Sequence, residues 1–317
     1  MNIDFYDLLP EISKAISRNY LESELLMGKT DKPLPTRSVI IEIINDLRQL
    51  MFPGYFSSEN IDSAGASYYT GHMLAVIHHK LKKQIALALA YNDDRGITAT
   101  NNEILSKSEE ICCNFFKELP NVQKMLLLDA QAGYDGDPAA DSREQVIFSY
   151  PGLYAIFVYR IAHELYKMKV PFIPRIMTEH AHSKTGIDIN SGATIGKYFF
   201  MDHGTGIVIG ETTIIGDYVK LYQGVTLGAL STRGGQHLAG IKRHPTIGDR
   251  VTIYSNATVL GGETVIGADS VIGGGAFITS SIPENTRVSV TPPELSIKND
   301  TNNKTSELSA TNYIYEI

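Results

Sequence analysis

His203 stands in the run Asp202-His203-Gly204-Thr205-Gly206, and a second histidine, His244, directly follows Arg243. An imidazole that titrates near neutrality can take the proton from a hydroxyl while that oxygen attacks a carbonyl, which is the general-base step of acyl transfer to an alcohol. Such a base needs a carboxylate on its far ring nitrogen, to fix the tautomer and stabilise the imidazolium. Asp188 precedes His203 by fifteen residues, a little less than one coil of a repeat of about eighteen residues, so the two could meet on neighbouring turns.

The elements that must position these residues differ between the two halves of the chain. From Thr36 to about Lys184 apolar residues recur at helical spacing. Ile40, Ile43, Ile44, Leu47 and Met51 make one face, Leu74, Ile77, Leu81, Ile85 and Ala88 another, and Ile104, Ile111, Cys112 and Phe115 a third. Pro53-Gly54, Asn92 to Gly96 and Gly133 to Ser142 read as turns, and Pro151 suits the first turn of a further helix. Short connections make the helices antiparallel neighbours in a bundle.

After Thr185 the period becomes six. Ile189, Ile195 and Met201 keep it, as do Ile209, Ile215, Leu221 and Leu227, then Ile247, Ile253 and Val259, and finally Ile266, Ile272 and Ile278. Each hexad supplies a short strand and a turn, three hexads close a triangular coil, and stacked coils bury ladders of aliphatic residues. Glycines after many of the aliphatic positions ease the corners. Two breaks interrupt the repeat: residues inserted within Asp202 to Gly206, and a segment from Ala229 to Thr246 that should loop out. Both hold histidines, and breaks in a strict repeat tend to be functional.

Composition narrows the classes. With 317 residues and 43% hydrophobic content the chain can bury a sizeable core. A net charge of -7 without clustered Lys and Arg argues against nucleic acid and anionic membranes. No apolar stretch is long enough to span a bilayer, and Met1 to Pro10 lacks the pattern of a signal peptide. The two cysteines, Cys112 and Cys113, are neighbours in a helical pattern, unsuited to a disulfide and read as core packing. A cytoplasmic protein is expected.

The string from Phe200 through Asp202-His203-Gly204-Thr205-Gly206-Ile207-Val208-Ile209-Gly210-Glu211-Thr212 resembles the signature of the bacterial and plant serine acetyltransferases. The resemblance extends to Gly136-Asp137-Pro138-Ala139, Tyr159-Arg160-Ile161-Ala162-His163, Gly186-Ile187-Asp188-Ile189, Gln223 to Gly228 and Arg243-His244-Pro245, so it covers roughly Asp129 to Ile282. It implies an α+β chain: an N-terminal α-helical bundle over 1–184, a left-handed parallel β-helix of hexapeptide repeats over 185–291, and a flexible tail over 292–317. It also implies acetyl-CoA as cosubstrate and L-serine as acceptor, with no metal. His203 would be the catalytic base, with Asp188 its partner, and no acyl-enzyme would form. Asp137 and Asp202 would hold the serine ammonium and Arg243 its carboxylate, with Glu211 and His244 close by. The pantetheine arm would run past Gly228 and Ala229 toward Tyr254 and Ser255.

The same resemblance implies a homotrimer or a hexamer built as a dimer of trimers, and feedback inhibition by L-cysteine in the serine site. The polar tail ends in Ile317, which would plug the active site of O-acetylserine sulfhydrylase. The chain departs from the family pattern at Asn190, in the length of Ala229 to Lys242, and at Val288 to Pro293.

Plainer readings exist for each residue. Asp188 and Asp137 could simply serve turns, which favour aspartate; Arg243 could be a solvated loop charge and His203 and His244 structural imidazoles. His72, His78, His79, His163, His180 and His182 fall on helical segments and read as structural or surface residues. Three other functions compete: a related acyltransferase acting on homoserine or an amino sugar, a zinc hydratase of the γ-type carbonic anhydrase kind, and an inactive scaffold. Asp137, Asp202 and Arg243 together match a zwitterionic amino acid. His237 and His244 sit in the looped segment, away from the coil walls that a zinc site needs. Retention of His203 and Asp188 argues against a scaffold.

Overall fold

The computed structural model describes residues 4–28, 32–57, 65–92 and 101–291. The expected tail with Ile317 and most of the expected turn from Asn92 to Gly96 lie outside the described residues. The helical half contains α1 (Phe5–Glu22), α2 (Glu24–Met27), α3 (Arg37–Met51), α4 (Pro53–Phe56), α5 (Ala66–Asn92), α6 (Asn101–Gly136), α7 (Arg143–Ser149), α8 (Pro151–Lys167) and α9 (Ile173–Thr185). The faces expected on α3, α5 and α6 are largely buried: Ile40, Ile43, Ile44, Leu47 and Met51 pack with Ile77, Leu81, Ile85, Ile111 and Phe115 in one core. Cys112 is buried there as well, whereas Cys113 is exposed, so the pair is only half core. Among the described residues no helix is long and apolar enough to cross a membrane.

One expected turn is helical instead, and a helix extends into the start of another. Pro53 opens the single turn α4 at its N-terminus, where a missing N–H costs nothing. The turn expected over Gly133 to Ser142 begins later, because α6 runs on through Gly133 and ends at Gly136: a Cβ at Gly133 would fall 2.8 Å from Val146 Cγ1, and one at Gly136 would fall 2.6 Å from Phe200 Cδ1. These glycines exist for close packing of α6 against α7 and the β-helix. The pattern before Thr36 also hid α1, capped by Asp4, whose side chain accepts the Tyr6 N–H at 3.0 Å.

The second half is a parallel β-helix of about five turns. Its first face stacks strands at 188–189, 208–209, 226–228, 258–260 and 277–278; its second, 194–195, 214–215, 246–247 and 265–266; its third, 200–202, 220–222, 252–253, 271–272 and 287–288. The period-six aliphatics are in register. Ile189 pairs Ile209 and then Leu227, Val259 and Ile278; Ile195 pairs Ile215, Ile247 and Ile266; Met201 pairs Leu221, Ile253 and Ile272. All are buried, each worth about 1.5–3 kcal/mol relative to exposure. Thr246 opens a strand paired with Ile214, so the looped segment ends at Pro245, not Thr246.

The corner glycines act differently from expectation. Gly216 has no positive φ, but a Cβ there would lie 2.8 Å from the Asp249 nitrogen on the next coil, so it is close stacking that excludes a side chain. Left-handed backbone at the corner between the second and third faces is taken by Tyr198, Tyr218, Arg250 and Asp269 instead.

Helix α8 joins the two halves. It is apolar nearly all round, as a helix covered on both sides must be. Arg160, 6% exposed, forms a two-pronged ion pair with Asp129 of α6, Nε to Oδ2 at 2.6 Å and Nη2 to Oδ1 at 2.8 Å. Its remaining donors reach the carbonyls of Ile195 (3.3 Å) and Gly196 (2.8 Å) in the first coil. Asp129 Oδ1 also accepts the Phe199 N–H at 3.0 Å. Tyr159 donates to the Ala193 carbonyl at 2.6 Å, and His163 Nδ1 lies 2.8 Å from that of Ser191.

Replacing Arg160 by Met leaves Asp129 charged or orphaned in the interior, which should cost about 3–5 kcal/mol. Urea unfolding of Arg160→Met checks this; a loss indistinguishable from that of an exposed Arg→Met control would show that the pair does not join the halves.

Candidate active site

The corner between the third and first faces carries His203, at the point where the first break widens the turn. Its φ is 56° and its ring is two-thirds exposed. Asp202, at the end of the preceding strand, places Oδ1 3.8 Å from His203 Nδ1. Asp137 arrives from the end of α6, where its Oδ1 accepts the Ala139 N–H at 2.8 Å and its Oδ2 the Tyr150 hydroxyl at 2.6 Å. Lys220, one coil up, donates to the Gly136 carbonyl and lies over the Phe200 ring at 5.3 Å.

The two carboxylates are tuned apart. The Tyr150 hydrogen bond holds Asp137 below the usual aspartate value, with His203 contributing. Burial pushes Asp202 above it, opposed by His203. The tyrosine is itself raised to about 12, by burial and then by the same bond to Asp137.

The expected partner of His203 is close in the fold but not bonded to it. Asp188 lies at the foot of the same corner, on the strand paired with Val208, and its carboxylate falls within 4.8 Å of Glu179 and His182 at the end of α9. Among the described residues no hydrogen bond links Asp188 to His203; the carboxylate that His203 faces is Asp202. The ring stands at the widened turn, two-thirds exposed to solvent.

The second group sits at a different corner, between the first and second faces. Arg243 pairs with Glu211 through Nη2, and its Nη1 donates to the Leu238 carbonyl at 3.2 Å. Tyr166 donates to Glu211 Oε1 at 3.1 Å. Burial acts to raise Glu211, but the bonds from Arg243 and Tyr166 outweigh it and the carboxyl lies below its usual value. Thr212 Oγ1 accepts the N–H groups of Arg243 (2.9 Å) and His244 (3.1 Å), and the Thr212 N–H donates to His244 Nδ1 at 3.1 Å. A Cβ at Gly210 would lie 2.1 Å from the His244 ring, so only glycine leaves room for the imidazole.

Within one chain, therefore, His203, Asp202 and Asp137 come together, and Glu211, Arg243 and His244 come together, but one face of the prism separates the groups. The residues expected along the pantetheine arm divide the same way. Tyr254 and Ser255 lie on the His203 corner, where Tyr254 stacks on Tyr222 at 4.9 Å and the Ser255 carbonyl accepts the Gly275 N–H. Gly228 closes a first-face strand, and Ala229 begins the loop toward Arg243. Tyr150, Tyr166, Thr212 and Lys220 were not legible in the sequence as site residues. Thr212 alone had a signal, its place beside Glu211; the others reach the site only through the docking of helices and coils.

His244 is pushed down to about 4 by burial, then by Arg243 and Lys242. Between about pH 6.5, the ordinary histidine value, and pH 4 the unfolded chain binds a proton that the folded one refuses. Stability should accordingly fall as pH falls through that window. Nitrogen-15 NMR should find His244 neutral at pH 6 with its proton on Nε2; a protonated ring at that pH would contradict the arrangement.

Known proteins give the fold and the two groups a context. No protein-family model matches the chain. It is 42% identical over 228 residues to the plasmid-encoded serine acetyltransferase of Synechococcus elongatus, covering 70% of this chain and 72% of that protein. Its structure matches serine acetyltransferase 1 of Entamoeba histolytica in complex with L-cysteine with a TM-score of 0.67 at 37% identity, over 78% of this chain and 86% of that one. Isoform 3 of the same organism, also in complex with cysteine, matches with a TM-score of 0.70 at 30% identity over 94% and 97% of the two chains. With a shared helical half, a shared β-helix and this extent of identity, the chain belongs to the serine acetyltransferase family.

Proposed function

We propose that this chain moves the acetyl group of acetyl-CoA onto the hydroxyl of L-serine, giving O-acetyl-L-serine and free CoA. The observation that carries the reading is the pairing of a solvent-open imidazole, His203, with two differently tuned carboxylates, Asp137 and Asp202. An ionised Asp137 suits an ammonium group. His203 takes the serine hydroxyl proton as the oxygen attacks the thioester carbonyl, and the tetrahedral intermediate then breaks its C–S bond. The same imidazole returns the proton to the departing thiolate. Asp188 is the partner we assign to the imidazolium, reached by a small inward movement of the His203 ring when substrate displaces solvent. Arg243 holds the serine carboxylate, with Glu211 keeping its guanidinium in place until substrate arrives and neutral His244 fixing the loop.

A complete site of this kind needs both corners. Their separation in one chain supports a trimer in which the His203 corner of one subunit faces the Arg243 corner of the next, with the pantetheine arm running between Tyr254 and Ser255 on one side and Gly228 and Ala229 on the other. A hexamer would pair two such trimers through the helical halves. L-cysteine, which shares the ammonium and carboxylate of serine, would occupy the same groups as a feedback inhibitor. The complexes of the Entamoeba relatives with cysteine support this. We place the enzyme in the cytoplasm, and Ile317 remains the candidate anchor for O-acetylserine sulfhydrylase.

Thiol release from acetyl-CoA should occur with L-serine and not with L-homoserine or glucosamine, and should fall by about 10²–10⁴-fold in His203→Ala, the usual share of a general base. Turnover only with another acceptor would move the chain to a different acyltransferase class. Sites shared between subunits give a second test. His203→Ala and Arg243→Ala chains, each inactive alone, should recover activity when unfolded and refolded together. Failure to recover, with assembly intact, would place all the groups in one chain.

A further inference from the structure

A cavity of about 660 Å³ opens between α3, the start of α8 and the last turn of α9, with Tyr150, whose hydroxyl donates to Asp137, in its wall. Its size falls within the roughly 300–1,000 Å³ of small-ligand sites. Two cationic side chains line it, Arg48 from α3 and Lys184 from α9, with the His180 imidazole one turn before Lys184. No carboxylate is among the described residues that line it. Arg48 is held by rings, with its guanidinium carbon 3.7 Å from the centroid of Phe56 and 5.0 Å from that of Tyr154. His180 is buried, and burial together with Lys184 and Arg37 pushes its imidazole below the usual histidine value. Positive charge is thus gathered here without a compensating acid, an arrangement that favours an anion.

The rest of the lining is aromatic. Tyr150 and Tyr154 form part of the wall, and Phe148 stacks on Phe56 at 5.8 Å while remaining 62% exposed. A bare oxyanion would leave most of this volume and these ring faces unused. We propose that the cavity binds a small phosphate ester with a planar organic part, of mononucleotide size. Its phosphate lies between Arg48 and Lys184, and its ring lies along the aromatic wall. The occupant touches Tyr150, the residue that holds Asp137, but the cavity is separate from both groups of the acyl-transfer site and does not rest on that assignment.

Isothermal titration of the full chain with adenosine monophosphate, inorganic phosphate and adenosine tests this. Saturable binding is expected for the nucleotide, weaker binding for phosphate, and the weakest for adenosine. Lys184→Ala, a change at an exposed position, should weaken the nucleotide by about tenfold, the loss of one charge-assisted contact worth about 1.4 kcal/mol. Arg48→Lys, which keeps the charge but loses the fork, should weaken it too. Binding should be unchanged in His203→Ala. Absence of saturable binding by the nucleotide, adenosine binding as tightly as the nucleotide, or indifference to both basic substitutions would each overturn the proposal.

Discussion

The buried pair between Arg160 and Asp129 is the constraint on which the arrangement of this molecule depends. Two charges taken out of water are costly unless each is fully engaged. Here the guanidinium has a carboxylate on Nε and Nη2 and coil carbonyls on Nη1 and Nη2, and the carboxylate also takes the Phe199 N–H. These partners come from α6, α8 and the first coil of the β-helix, and only one relative placement of the three satisfies them all. Asp137 follows immediately after α6, eight residues beyond Asp129. Its distance from the His203 corner is therefore set by a pair that touches neither.

The β-helix supplies the opposite kind of order. Its inward residues are interchangeable aliphatics in register, and its stability comes from repetition along the column. Chemistry is confined to where repetition fails. The widened turn at His203 turns a ring outward in left-handed backbone, and the loop ending at Pro245 brings Arg243 and His244 back beside Glu211. Because the faces stack in register, these two departures land at different corners. In the trimer we propose, a site that needs both is completed by a neighbouring chain.

Electrostatics divides labour between the corners. At the His203 corner one carboxyl is stabilised by a tyrosine hydroxyl and its neighbour is raised by burial, leaving one firm negative charge and one yielding one. At the Arg243 corner the charges are already paired, and burial, then two nearby cations, push His244 down to about 4. In the function we propose, the first corner receives a cation and the second exchanges one carboxylate for another at Arg243.

What was legible in the sequence followed from periodicity and from short strings. The six-residue spacing of Ile209, Ile215, Leu221 and Leu227 determined the coil and which side chains face inward, because a triangular prism admits one inward position per hexad. The run around His203 determined the family. Tertiary structure alone decided the rest, since each remaining feature joins residues distant in the chain. Glycines at 133 and 136 read as the start of a turn, yet α6 includes both, where Val146 and the Phe200 ring occupy the space a side chain would take. Asp188 and His203 have a permissive spacing, whereas the carboxylate that stands 3.8 Å from His203 Nδ1 is that of Asp202. Tyr150 and Tyr166 carry no local signal, because their roles exist only once α8 is docked by Arg160. The sequence by itself determined the repeat and the chemistry available; the packing of helices on coils decided which of those groups meet.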